Sequence, residues 1–123
     1  MKTNKYQLIL NDFQVPVKLG VSETERSVPQ NIAIDIIINF KQLPLGCISD
    51  NIQDTICYDR LCNNIVTFCQ HKEFNLLEHL CYQLYDYLTM EIKNSGTIQL
   101  SISKISPVNN LKSSQFCIGH DFY

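Results

Sequence analysis

A chain of 123 residues is the size of one domain, and 45% hydrophobic with 18% charged residues is globular composition, which sets aside disorder, collagen-like repetition and a coiled-coil rod. A formal net charge of −2 does not suit a domain held to nucleic acid through phosphates, which needs a basic face. No run of about 18 apolar residues is present and no apolar signal core follows the opening residues, so residues 1–123 are expected to form a single cytosolic domain with no membrane partner and little room for a deep active-site cavity of its own.

Residues 6–10 and 13–21 are two apolar stretches separated by Asn11-Asp12, which is turn chemistry, and Pro16 suggests an edge strand or a bulge. From 32 to 40 the pattern is plainer. Ile32, Ile34, Ile36, Ile38 and Phe40 recur with period two opposite Ala33, Asp35, Ile37 and Asn39, predicting a long strand with one buried face. Residues 42–55, with Pro44, Gly46, Ser49, Asp50 and Asn51, form a polar connection of the kind that carries function on a rigid frame.

The period then changes. Leu61, Cys62, Ile65, Val66 and Cys69 repeat at helical spacing, as do Leu76, Leu77, Leu80, Cys81, Leu84, Leu88 and Ile92. Asn75 followed three residues later by Glu78 suggests a capping box at the start of the second helix, and Asn94-Ser95-Gly96 suits a left-handed cap at its end. Residues 97–105 return to period two, with Ile98, Leu100 and Ile102 on one face and Lys104 in phase with them, and 116–118 make a last short strand. The order is ββααββ: an α+β fold in which two helices back one sheet with antiparallel hairpins at both ends.

An even count of six cysteines invites a disulfide framework, but nothing marks the chain for secretion. Cys57 and Cys62, the closest pair, are too far apart for a zinc knuckle, and His71, His79 and His120 offer no metal-binding pair. The expectation is buried, reduced thiols acting as small hydrophobes, with no metal and no cofactor.

Four polar positions break or flank apolar patterns: Glu25, Tyr58, Glu78 and Lys104. A lysine on the inward phase of a strand either snorkels at the strand end or is held beside something that needs a cation or a proton relay; enclosure would bring it toward general-base work. Glu78 either caps its helix or, beside free backbone N–H groups, accepts two parallel hydrogen bonds from an amidine-like edge. Taken singly, Tyr58 reads as an amphipathic packing residue, and Glu25 as part of a solvated charged loop.

In order along the chain, Gly20-Val21-Ser22-Glu23-Thr24-Glu25-Arg26 with Gln30, then Asp54-Thr55-Ile56-Cys57-Tyr58, then Phe74-Asn75-Leu76-Leu77-Glu78-His79-Leu80, then Ser103-Lys104, resemble the dihydroneopterin aldolase family of folate biosynthesis over nearly the whole chain. The resemblance implies the tunnelling fold, a four-stranded antiparallel sheet backed by two helices, with sheets joined edge to edge in an oligomeric barrel, a homotetramer or homo-octamer. It implies a metal-independent lyase without a Schiff base, cleaving 7,8-dihydroneopterin. Glu78 would anchor the pterin, helped by backbone groups around Leu76 and Leu77. Thr55, Ile56 and Tyr58 would come from the adjacent subunit, Glu25 and Gln30 would line the same interface, and Lys104 would act with a water in proton transfer. One departure is that Lys104 is followed by Ile105-Ser106-Pro107, where relatives often place proline directly. Two alternatives share the fold: an epimerase acting on dihydroneopterin triphosphate, which needs cations such as Lys104 and Lys112 near the pocket, and a non-catalytic ring that binds pterins or purines.

Overall fold

The computed structural model describes residues 4–119. Strand β1 (Tyr6–Val17) and strand β2 (Gln30–Phe40) are joined through a one-turn helix, α1 (Glu23–Arg26). After a second one-turn helix, α2 (Gly46–Ser49), and a 3-10 turn (Ile52–Asp54) come the two long helices, α3 (Tyr58–Gln70) and α4 (Leu77–Ile92), then strands β3 (Gly96–Ile105) and β4 (Ser113–Gly119). The strands lie in the order β1-β2-β3-β4, antiparallel throughout. Helix α3 covers β1, and α4 covers β3 and β4.

Burial explains the register. Ile32, Ile34, Ile36 and Ile38 of β2 and Ile98, Leu100 and Ile102 of β3 are almost wholly buried against Ile65, Leu80, Leu84 and Leu88 of the helices. Full burial of one such side chain is worth roughly 1.5–3 kcal/mol, and a one-residue slip of β2 would put Ala33, Asp35, Ile37 and Asn39 in their place. That penalty selects the pairing Ile34↔Ile102 and Ile32↔Lys104.

Three local expectations are corrected. The Asn11-Asp12 pair does not end a strand: β1 runs through it, with a shift of register between Leu10 and Phe13. Asp12 takes φ 54° and donates its N–H to Asp35 Oδ1 at 2.7 Å, so turn chemistry is spent on a bulge. Pro16 does lie on an edge strand, opposite Asn31. Gly96 is not a left-handed cap, since among the described residues no glycine has positive φ and the cap of α4 is right-handed Lys93. A glycine suits this position because a Cβ would strike the Asn39 carbonyl oxygen of β2. The capping box is also absent. The N-cap position of α4 is Leu76, with no side-chain cap, and Glu78 therefore falls one residue too early in the helix to close a box with Asn75.

The thiols divide. Cys69 and Cys81 are buried, Cys57 and Cys62 half-buried, and Cys47 and Cys117 exposed, so burial holds for only part of the set. The departures are positional. Cys47 belongs to the exposed α2 turn, and Cys117 points to the helix-free face of the sheet, near Ser101.

Candidate active site

The β-sheet has two ends, and the candidate residues are divided between them. At one end lies Lys104, the penultimate residue of β3, paired in register with Ile32 near the start of β2. Lys104 does not snorkel into solvent. Its side chain is only 15% exposed, and Nζ lies 2.6 Å from Glu25 Oε2. Glu25 reaches it from α1, whose start is fixed by Ser22 Oγ accepting the Glu25 N–H at 3.1 Å.

Glu25 is thus exposed but paired with Lys104. The hydrogen bond from Lys104 holds its carboxyl below the usual carboxylate range, against the opposing effect of partial desolvation; the Lys104 charge, the Gln30 side chain and the Val21 backbone act in the same direction as that bond. Gln30 also donates Nε2–H to the Leu19 carbonyl at 2.6 Å, tying the first residue of β2 to the segment that leads into α1.

The opening of α4 belongs to the same end. The Gly20 N–H donates to Phe74 O at 3.0 Å, and the Phe74 N–H to Lys18 O at 2.9 Å; four residues beyond Phe74 stands Glu78. Glu78 is exposed, and among the described residues its carboxylate has no hydrogen-bond or ionic partner. A free carboxylate in the first turn of a helix, where backbone N–H groups are themselves unsatisfied, can accept parallel N–H bonds from a planar heterocycle. Leu76 is half-exposed beside it and Leu77 is partly buried.

Thr55, Ile56 and Tyr58 are at the other end. They line a recess of about 530 Å³ with Tyr6, Leu8 and Phe40, where Tyr6 pairs with Phe40 and Phe40 with Gly96. Tyr58 opens α3 and is 57% exposed. Lys104 is in register with Ile32, and the recess lies at Phe40, eight residues further along β2, so roughly 26 Å of strand at the usual rise separates the two. One chain therefore brings Glu25, Gln30, Lys104 and the start of α4 to one end, and leaves Thr55, Ile56 and Tyr58 at the opposite one.

The family model for dihydroneopterin aldolase, FolB, matches residues 8–118. The chain belongs to the dihydroneopterin aldolase family. A probable dihydroneopterin aldolase of Chlamydia pneumoniae is 31% identical over 104 residues, covering 84% of this chain and 78% of that protein. Among solved structures, the Escherichia coli dihydroneopterin aldolase in complex with neopterin superposes with a TM-score of 0.85 at 19% identity, covering 94% of this chain and 99% of that one. The dihydroneopterin aldolase of Burkholderia thailendensis bound to guanine gives 0.74 at 15% identity, covering 94% of this chain and 90% of that one. At these identities the likeness concerns the fold, and it agrees with the expected α+β sheet backed by helices. No helix among the described residues is long and apolar enough to cross a membrane.

One position in this aldolase-family chain had no role in the sequence reading. Gly20 is buried, and a Cβ there would run into the Glu25 carboxylate. The signal available in the sequence was the glycine itself, opening the charged loop five residues before Glu25.

Proposed function

We propose that the chain carries out the dihydroneopterin aldolase reaction at a crevice closed by a second copy of itself. The observation that carries this reading is the Lys104–Glu25 pair, held at the same end of the sheet as the Glu78 carboxylate, which has no partner among the described residues. Glu78 would bind the pterin through its 2-amino group and ring N3–H. The recess with Thr55, Ile56 and Tyr58 would come from a neighbour, because no rearrangement of one chain short of unfolding spans the sheet. Edge strands β1 and β4 carry unpaired backbone groups that edge-to-edge association would satisfy, supporting a barrel of four protomers or a stack of two such rings.

The chemistry needs little beyond these residues. In 7,8-dihydroneopterin the C6=N5 imine adjoins the side chain and accepts the electron pair released as the C1′–C2′ bond breaks. The 2′-hydroxyl loses its proton as the C2′–C3′ fragment departs as glycolaldehyde, N5 gains a proton, and protonation of the resulting enamine at C1′ with loss of the N5 proton restores the imine and gives 6-hydroxymethyl-7,8-dihydropterin. Because the substrate supplies its own electron sink, neither a lysine Schiff base nor a metal is required. Lys104, with Glu25 as its counter-charge and a water as relay, would move the protons, and Tyr58 of the neighbour would hold the side-chain hydroxyls. Reversal with recombination at the other face would epimerise C2′.

Incubation with 7,8-dihydroneopterin should release glycolaldehyde and 6-hydroxymethyl-7,8-dihydropterin in equal amounts. Tight pterin binding with no product would instead identify a silent binding ring. Glu78→Ala should abolish that binding, since the polar edge of the ligand loses its charged partner.

A further inference from the structure

Among the described residues the ion pairs are two, Lys104–Glu25 and Arg26–Glu73, and they are made by consecutive residues of α1 that reach in different directions. Glu25 turns to the end of β3. Arg26 reaches the segment that leads into α4. Its Nη1 donates to Gly20 O at 2.9 Å and to Val21 O at 2.8 Å, while Nε lies 3.4 Å from Glu73 Oε1 with the Arg26 side chain only 18% exposed.

These contacts close a ring. Arg26 holds Gly20, the Gly20 N–H holds Phe74 O, and Glu73, next to Phe74 in the chain, holds Arg26. One side of the ring carries Glu25, and the other leads directly to Glu78. We propose that Arg26 is a positioning residue for the aldolase reaction, setting the offset between the Lys104–Glu25 pair and the Glu78 carboxylate. This inference rests on the roles proposed above for those three residues.

The guanidinium is suited to the task because its planar fork satisfies two carbonyls and a carboxylate at once, which an ammonium at the end of a flexible stem does not. Glu73 is half-exposed, so the bridge adds little to global stability. Displacing a reacting group by about 1 Å, by contrast, can cost about a hundredfold in rate. Activity and stability should therefore separate.

The test compares the full chain with Arg26→Gln, Arg26→Lys, Glu73→Gln and Lys104→Ala, measuring kcat and KM with 7,8-dihydroneopterin, binding of neopterin, and the thermal midpoint. Arg26→Gln is expected to lose kcat by about tenfold or more while its affinity for neopterin changes by less than about threefold and its thermal midpoint by little. Arg26→Lys should recover only part of kcat, and Glu73→Gln should lose kcat in the same direction but less. If Arg26→Gln does not fold, the lysine and Glu73 variants carry the same expectation. A kcat within about twofold of the parent in all three, or a loss matched by an equal loss of neopterin-binding sites, overturns the proposal. Turnover surviving in Lys104→Ala would sink the underlying assignment of the proton-transfer residue; an inactive Lys104→Ala beside fully active Arg26 and Glu73 variants would sink the positioning role alone.

Discussion

Lys104 Nζ and Glu25 Oε2 meet at 2.6 Å across 79 positions of the chain. The contact joins the end of a central strand to a four-residue helix that has no buried residue of its own. It gives a lysine on the buried phase of β3 a charged neighbour at the edge of solvent, the arrangement from which a proton can be exchanged with a bound molecule.

Lys104→Ala should lower turnover by about 10²–10⁴-fold, the usual worth of a positioned acid–base group, with neopterin binding largely retained. Steady-state kinetics beside fluorescence titration would separate the two. A variant that keeps its rate would remove Lys104 from the chemistry.

Acid stability should report the same pair. The carboxyl of Glu25 is held below its ordinary value of 4.5 in the folded chain, chiefly by the Lys104 hydrogen bond. A depressed carboxyl pKa contributes stability that is fully present above the unfolded value and is lost as pH falls through the folded one. The pair is partly solvated, so the effect is modest. Thermal midpoints measured from pH 6 downward should therefore fall less steeply below about pH 4.5 in Glu25→Gln than in the parent, and parallel curves would show that the contact does not persist in solution.

Gly20→Ala should damage activity more than its size suggests. The added methyl would occupy the space of the Glu25 carboxylate, forcing that side chain off Lys104 while leaving the apolar core intact. A fall in kcat with native circular dichroism is expected, and an unaffected kcat would mean that Glu25 can reach Lys104 by another route.

Because Tyr58 and Glu78 lie at opposite ends of one sheet, variants inactive at either position should complement each other. In mixed oligomers of Tyr58→Phe and Glu78→Ala, some crevices combine an intact Tyr58 with an intact Glu78. Turnover should rise above that of either parent once subunits exchange. Verified hybrids that stay inactive would rule out a site shared between subunits.

Thiol labelling would check the packing. Burial pushes Cys69 and Cys81 up to about 12, leaving only about one thiolate in ten thousand at pH 8, so both should react only on unfolding. Cys47 and Cys117 are exposed in the single chain. Rapid labelling of Cys47 with slow labelling of Cys117 would indicate that the helix-free face of the sheet is enclosed by neighbours.

Much of this protein could be read from its sequence, because strand and helix periodicity are local properties. Alternation at residues 32–40 and 97–105, and the helical spacing from Leu61 to Cys69 and from Leu76 to Ile92, correspond to β2, β3, α3 and α4 in the structure, and the inward phase of Lys104 was visible before any partner was known. What only the tertiary structure decided depends on distant segments meeting. It decided that Asn11-Asp12 bends a continuous strand because Asp35 accepts a bond from it, that Glu78 is left free of the helix cap, and that Tyr58 stands a sheet's length from Lys104. The choice of Glu25 as the partner of Lys104 belongs there too. No spacing rule links positions 25 and 104, and only the register of β2 against β3, selected by the buried isoleucines, carries one to the other.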